Sequence, residues 1–269
     1  MNSDRTRLLC YATLPDKGSF TQRIEAATAA GFDELSLWLM SLDEGRAELG
    51  SLEAVAGFLA DAGMRASVLE LLLTWPDGEP GACDAEVAVM QAAAEIMQPD
   101  VILAGCMGPS LAPGAAACLK AQCRALAPYK VALEFLPWSG LPTLASAVDL
   151  VREIDEENLG FVLDTWHFAW AGQDFTTLES IPAEKIHFVQ LGDLASETSS
   201  DVIVETLGHR LRPGEGVVDW PRMRRVLDAE KLGCPIGTEQ FNDAVKAMSL
   251  EDASRYLFDS VQHIMNPGD

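Results

Sequence analysis

Residues 186–193 read IHFVQLGD, that is Ile186-His187-Phe188-Val189-Gln190-Leu191-Gly192-Asp193. The run is apolar at its core, carries two polar side chains, and opens into Gly-Asp, so it reads as a strand leaving for a loop. Side chains alternate from face to face along a strand. Phe188, Gln190 and Gly192 therefore share one face, and His187 and Val189 share the other. His187 also sits nearer the start of the run. The alternation assigns Gln190 to whatever space lies at the strand's end and turns His187 toward the opposite layer.

Working outward, the same strand-then-helix pattern repeats. Strand patterns at 8–14, 34–40, 65–73, 100–106, 130–137, 159–167, 185–193 and 234–241 alternate with helical patterns near 19–31, 50–63, 85–97, 114–127, 141–154, 175–180, 219–231 and 249–265. Ser19 is placed to cap the first helix. Eight such pairs in 269 residues predict an α/β fold, a (β/α)8 barrel, as one domain over 1–269. A doubly wound open sheet is the alternative, weakened because no GxGxxG turn follows the first strand.

Composition narrows the function. A formal net charge of −22 disfavours nucleic acid and anionic membrane surfaces as partners. Six cysteines with no CxxC pair sit mostly in apolar runs and read as buried thiols in a reducing compartment. The opening MNSDRTRLL has no apolar signal core, and no run is long enough to span a membrane, so a cytoplasmic location is expected.

In barrels of this type, chemistry sits at the C-terminal ends of the strands. Several polar residues fall there: Glu134 in VALEFLP, Asp164 in GFVLD followed by His167, Gln190 and Asp193, and Glu239 in GTEQF. Carboxylates in apolar strands are costly to bury alone, and several converging acids repel unless a cation lies among them. Four oxygen donors, Glu134, Asp164, Gln190 and Glu239, suit a hard cation such as Mg²⁺ or Mn²⁺ over zinc.

These residues carry a resemblance. The segments ALEFLP, LDTWHF, VQLGD and RLRPGEG (210–216), with Glu239, resemble in order and spacing the sugar phosphate isomerase/epimerase superfamily of xylose isomerase-like TIM barrels. The resemblance implies one divalent metal held by Glu134, Asp164, Gln190 and Glu239. Many members have histidine where this chain has Gln190; the glutamine is similar to the hydroxypyruvate-isomerase-type branch. It further implies substrate contacts from His167 and Arg210, acid/base roles for Glu134 and Glu239, and assembly as a homodimer or homotetramer.

A metal bound to a carbonyl and its neighbouring hydroxyl acidifies the C–H between them and stabilises an enediolate. The expected function is an isomerase or epimerase of a small polyhydroxy ketone. A dehydratase or C–C/C–O lyase on a keto-polyol uses the same site. A non-catalytic carbohydrate-binding barrel is the second alternative. A DNA-repair endonuclease is disfavoured, since that chemistry needs a His-rich zinc cluster and this chain has four His. No phosphate-binding loop stands out. Trp138, Trp166 and Trp170 cluster near strand ends as pocket wall or core, and Arg212 competes with Arg210 for the substrate.

Overall fold

The computed structural model describes residues 7–228 and 232–265. Eight strands, all parallel, close into one barrel in chain order. They are β1 (Leu8–Cys10), β2 (Glu34–Trp38), β3 (Arg65–Leu72), β4 (Val101–Ala104), β5 (Lys130–Leu133), β6 (Leu159–Asp164), β7 (Ile186–Leu191) and β8 (Ile236–Thr238). The predicted (β/α)8 barrel is therefore the observed fold. The strands are shorter than the apolar runs, because the ends of those runs turn into the loops that carry the site.

The helices follow from local chemistry. Ser19 caps helix Phe20–Ala30 in a reciprocal capping box with Gln22, and Gly31 ends it in a left-handed turn. Thr143 does the same with Ser146 for helix Leu144–Ile154. Helices Leu39–Leu49 and Val202–Gly208 were not anticipated. The first follows β2 with no side-chain cap. The second lies between the strand pattern at 185–193 and the helical pattern near 219–231, started by Asp201. The last residues of the helix expected at 219–231 lie outside the described residues; the helix is seen over Trp220–Leu227. No described helix is long and apolar enough to cross a membrane.

Alternation sorts the strands into two packing layers. Leu8, Val68, Leu103, Ala132, Val162 and Phe188 fill the barrel interior, while Leu9, Leu69, Ile102, Val131, Leu163 and Val189 pack against the helices. Inward positions are polar near the mouth; below it, Phe188 and its neighbours plug the barrel. All six cysteines are buried.

His187 departs from the expectation. The register between β6 and β7 slips at this residue: Phe161 pairs with Ile186, but Val162 pairs with Phe188. The extra residue is a bulge, which breaks strict alternation. The ring lies against Gly160, where a Cβ would collide with it. Gly160 pairs with Ala132, an interior residue. His187 thus lies on the interior side near the barrel's N-terminal end, not against the helices, with Nδ1 3.0 Å from the Val131 carbonyl oxygen.

Burial, with the nearby Lys130 and Lys185 charges, pushes the His187 imidazole down to about 4. A buried neutral histidine binds its proton only on unfolding, so between pH 6.5 and 4 its contribution to stability falls as pH falls. His187→Asn should remove about one proton of uptake on unfolding near pH 5. Urea midpoints measured from pH 4.5 to 7.5 in both proteins check this: the wild type should show the steeper acid-side loss.

Candidate active site

The strand ends bring the predicted residues together. Asp164 is the last residue of β6 and Gln190 the penultimate residue of β7; Glu134 and Glu239 follow directly after β5 and β8. Asp164 and Gln190 are paired across the sheet. All four are buried. Because Ala132, Val162 and Phe188 point inward, the residues two positions on do the same.

Arg210 ties two of them, Asp164 and Glu239, together. Its Nη1 donates to Asp164 Oδ2 at 2.7 Å and to Glu239 Oε2 at 2.8 Å. Nη2 lies 3.3 Å from His167 Nε2. A guanidinium has only donors, so Nε2 accepts and the His167 proton sits on Nδ1, which has no partner. Thr206 fixes the other edge, accepting from Nε at its carbonyl and from Nη2 at its hydroxyl. The guanidinium lies over Trp166, 5.1 Å from the ring centroid. Arg212 instead donates to the Asp259 carbonyl and packs over Tyr256, away from the cavity.

The loop that carries Arg210 is held by Asp193. Its carboxylate accepts from the backbone N–H groups of Leu194, Gly214, Gly216 and Val218 and from Trp220 Nε1. Gly216 has no room for a Cβ, because Asp193 already fills that space. Asp193 therefore organises the RLRPGEG segment and has no free oxygen to offer a ligand.

Glu70 is a site residue the sequence analysis missed. It lies on β3, shares the inward face with Val68, is buried, and accepts from Ser36 Oγ. The signal was present: a single carboxylate inside the apolar run RASVLELLL, the pattern that singled out Glu134. Four buried acids, Glu70, Glu134, Asp164 and Glu239, thus share one guanidinium.

Their proton affinities diverge as that imbalance requires. Burial would raise Asp164, but Arg210 and His167 beside it hold it at about 2. Burial raises Glu70 to about 7. It also raises Glu134, with added repulsion from Asp164 and Glu70, and Glu239, against the opposing pull of Arg210. Burial brings His167 down to about 3, so the ring is neutral at ordinary pH.

The donor set fits a divalent cation. The Gln190 Nε2 donates to Glu239 Oε1 at 2.8 Å, leaving its own Oε1 buried without a partner. Ligand atoms of Glu134, Asp164 and His167 lie within 4.8 Å of one another, and so do those of Cys10, Glu70 and Glu239. Each trio includes one nitrogen or sulfur donor, so the set is less purely oxygen than the sequence suggested. A cation held by Asp164 and Glu239 has to share their oxygens with Arg210 or displace it.

The cavity above this floor has a volume of about 360 Å³. Trp138 lines it and meets His167 edge-on, with ring centroids 5.3 Å apart. Trp166 and Trp170 instead stack on each other at 5.1 Å and belong to the wall behind Arg210.

The family described as xylose isomerase-like TIM barrel matches residues 24–262. The chain belongs to that family. This xylose isomerase-like barrel is 30% identical over 254 residues to the 3-dehydroshikimate dehydratase of Pseudomonas aeruginosa, covering 88% of this chain but 38% of that protein. It is 27% identical over 143 residues to the inosose isomerase of Halalkalibacterium halodurans, covering 52% of this chain and 50% of that one. Among solved structures, the IolI protein with a bound zinc atom superposes with a TM-score of 0.85 at 18% identity over 98% of both chains. That match speaks to the fold alone. The chain thus spans less than two fifths of the length of the Pseudomonas dehydratase.

Arg210→Lys keeps the charge but loses the planar fork that bridges two carboxylates. The variant should melt at a lower temperature than the wild type. Its upward shift on adding Mn²⁺ should be larger, because Asp164 and Glu239 are less fully engaged. Thermal melts with and without MnCl₂ check both.

Proposed function

We propose that this xylose isomerase-like enzyme moves a proton at a carbon beside the carbonyl of a small hydroxyketone, as an isomerase or epimerase. A single divalent cation assists, held by Glu134, Asp164, Gln190 and Glu239. The observation that carries the reading is the pair Glu134 and Glu239. Both line one cavity, both are buried, and burial raises the proton affinity of both. General acid/base work at neutral pH needs carboxyl groups displaced in that direction. When bound, the cation supplies stabilisation of the negative charge that develops on the carbonyl oxygen.

The chain's own residues do the rest. Among the described residues no Lys or Arg pairs with Glu134; His167 Nε2 lies 3.7 Å away and is neutral, so the Glu134 carboxylate keeps the basicity needed to take a proton from carbon. Glu239 is restrained by Gln190 and Arg210 and is the group that returns a proton. Arg210 and neutral His167 border the cavity between them and orient the substrate oxygens. Asp164, held near 2, stays ionised throughout. Magnesium or manganese is the favoured cation, because oxygen donors dominate the set.

A second reading is a dehydratase. The more extensive match to a curated relative is to an enzyme named for dehydration. Dehydration and isomerisation share a first step, removal of a proton from carbon. They part when a hydroxyl one carbon further on leaves.

Metal analysis of purified protein should give about one divalent ion per chain, lost in a Glu134→Gln/Glu239→Gln double variant. In D₂O, a panel of hydroxyketones should gain deuterium at carbon with wild type. Either single variant should slow that exchange by roughly 10²-fold or more. Exchange without elimination supports isomerase or epimerase; elimination supports the dehydratase. Unchanged exchange in both variants removes the assignment of Glu134 and Glu239.

A further inference from the structure

The cavity is built in two levels of opposite character. Its floor carries Glu70, Glu134, His167, Arg210 and Glu239. Its wall is apolar: Trp38, Leu71, Leu136, Trp138 and Phe241 line it. The apolar character continues out to the rim. Met40 is 75% exposed, Met107 54%, Leu207 48% and Leu73 41%, and all four line the same cavity. Large apolar side chains left in water in one contiguous ring mark a surface that binds something apolar.

Charge gives the second constraint. Among the described residues lining the cavity, Arg210 is the sole Lys or Arg. It is already committed to Asp164, Glu239, His167 and Thr206. Lys246 stands outside the lining, where it donates to the Leu207 carbonyl and packs over the Phe241 ring. When ionised, the four acids outweigh one arginine and a divalent cation together, which leaves no surplus positive charge for a carboxylate or phosphate. An anion entering here would lose its hydration with no counter-charge to receive it.

A polyol meets a related difficulty. Hydroxyls at one end find acceptors and donors on the floor. Hydroxyls along the rest of the molecule would face Leu136, Trp138 and Phe241. Each hydroxyl buried there without a partner weakens binding. Each buried CH₂ in the same place strengthens it.

We infer that the site takes an uncharged hydroxyketone whose reacting head meets the polar floor and whose body is a hydrocarbon or aromatic group held by the apolar wall. This rests on the proton-transfer reading of the floor and names the substrate class that the rest of the cavity selects. It sets the chain apart from enzymes of phosphorylated, carboxylated or fully hydroxylated substrates.

Three probes with one head group test it. 2-Hydroxyacetophenone is uncharged with an aromatic body. 4-(Hydroxyacetyl)benzoate adds one carboxylate to that body, and erythrulose replaces the body with hydroxylated carbons. Isothermal titration calorimetry on the full chain with MnCl₂ present should find 2-hydroxyacetophenone at least about tenfold tighter than erythrulose, a difference of roughly 1.4 kcal/mol. It should also show the negative heat-capacity change of apolar burial. The carboxylate should weaken binding at least about tenfold. Leu207→Lys, at the exposed rim, should recover most of that loss. Erythrulose or the benzoate binding as tightly as 2-hydroxyacetophenone, or no binding by any of the three, overturns the inference, as does a lysine variant that recovers nothing.

These are binding readouts, separate from turnover. Tight binding of 2-hydroxyacetophenone with no deuterium exchange from any hydroxyketone would retire the proton-transfer reading and leave the substrate-class inference standing. Exchange on erythrulose with weak binding of the aromatic ketone would do the reverse.

Discussion

The guanidinium of Arg210 is the interaction on which the site depends. Four carboxyl groups are buried around one barrel mouth, and one fixed positive charge lies among them. Removing a partner from a buried charge cluster leaves groups that neither water nor protein satisfies. The fold therefore has to deliver Arg210 accurately from a loop. It does so with Asp193, which gathers four backbone N–H groups and an indole N–H. It also pairs its own backbone with Leu211, the residue after Arg210.

One cation against four acids is not a balanced account. The structure divides the deficit unevenly: Asp164 is ionised next to Arg210, while Glu70, Glu134 and Glu239 are pushed toward protonation. A divalent cation would complete the balance, and the orphaned carbonyl oxygen of Gln190 is where the polar cluster is visibly short of positive charge. The same imbalance that makes a metal welcome makes an anionic substrate unwelcome. One electrostatic fact thus bears on both cofactor and substrate.

Much of this was legible in the sequence, and the gaps have physical causes. Strand periodicity is strong where strands are short, apolar and bounded by turns, so eight strands and the position of Glu134, Asp164 and Gln190 late in theirs could be read; which face looks inward is settled only by the fold. Alternation misplaced His187, because a bulge is a local slip in pairing that composition does not announce. Gln190, late in the strand, still meets Glu239 at the barrel mouth. Glu70 was overlooked although it obeys the same pattern as Glu134; it belongs to none of the segments that carried the resemblance. Trp38 and the apolar rim were illegible for another reason. Leu, Met and Trp at loop and helix starts look like core until the fold shows that they face a cavity.

Asp164 carries a consequence of its own. Its Oδ1 accepts from the backbone N–H groups of Trp166 and His167, and so starts helix Thr165–Trp170. One carboxylate oxygen is thereby spent on holding His167 in place, and only Oδ2 faces the cluster. Gripping an ion with both oxygens would release the helix cap, worth about 1 kcal/mol, and loosen the imidazole at the cavity floor. One-oxygen coordination of any ion bound here would leave that cap intact. Calcium favours six to eight oxygens and often draws carboxylates in with both. An ion that demanded both oxygens would therefore work against the start of a six-residue helix, through backbone hydrogen bonds and not through the width of the barrel.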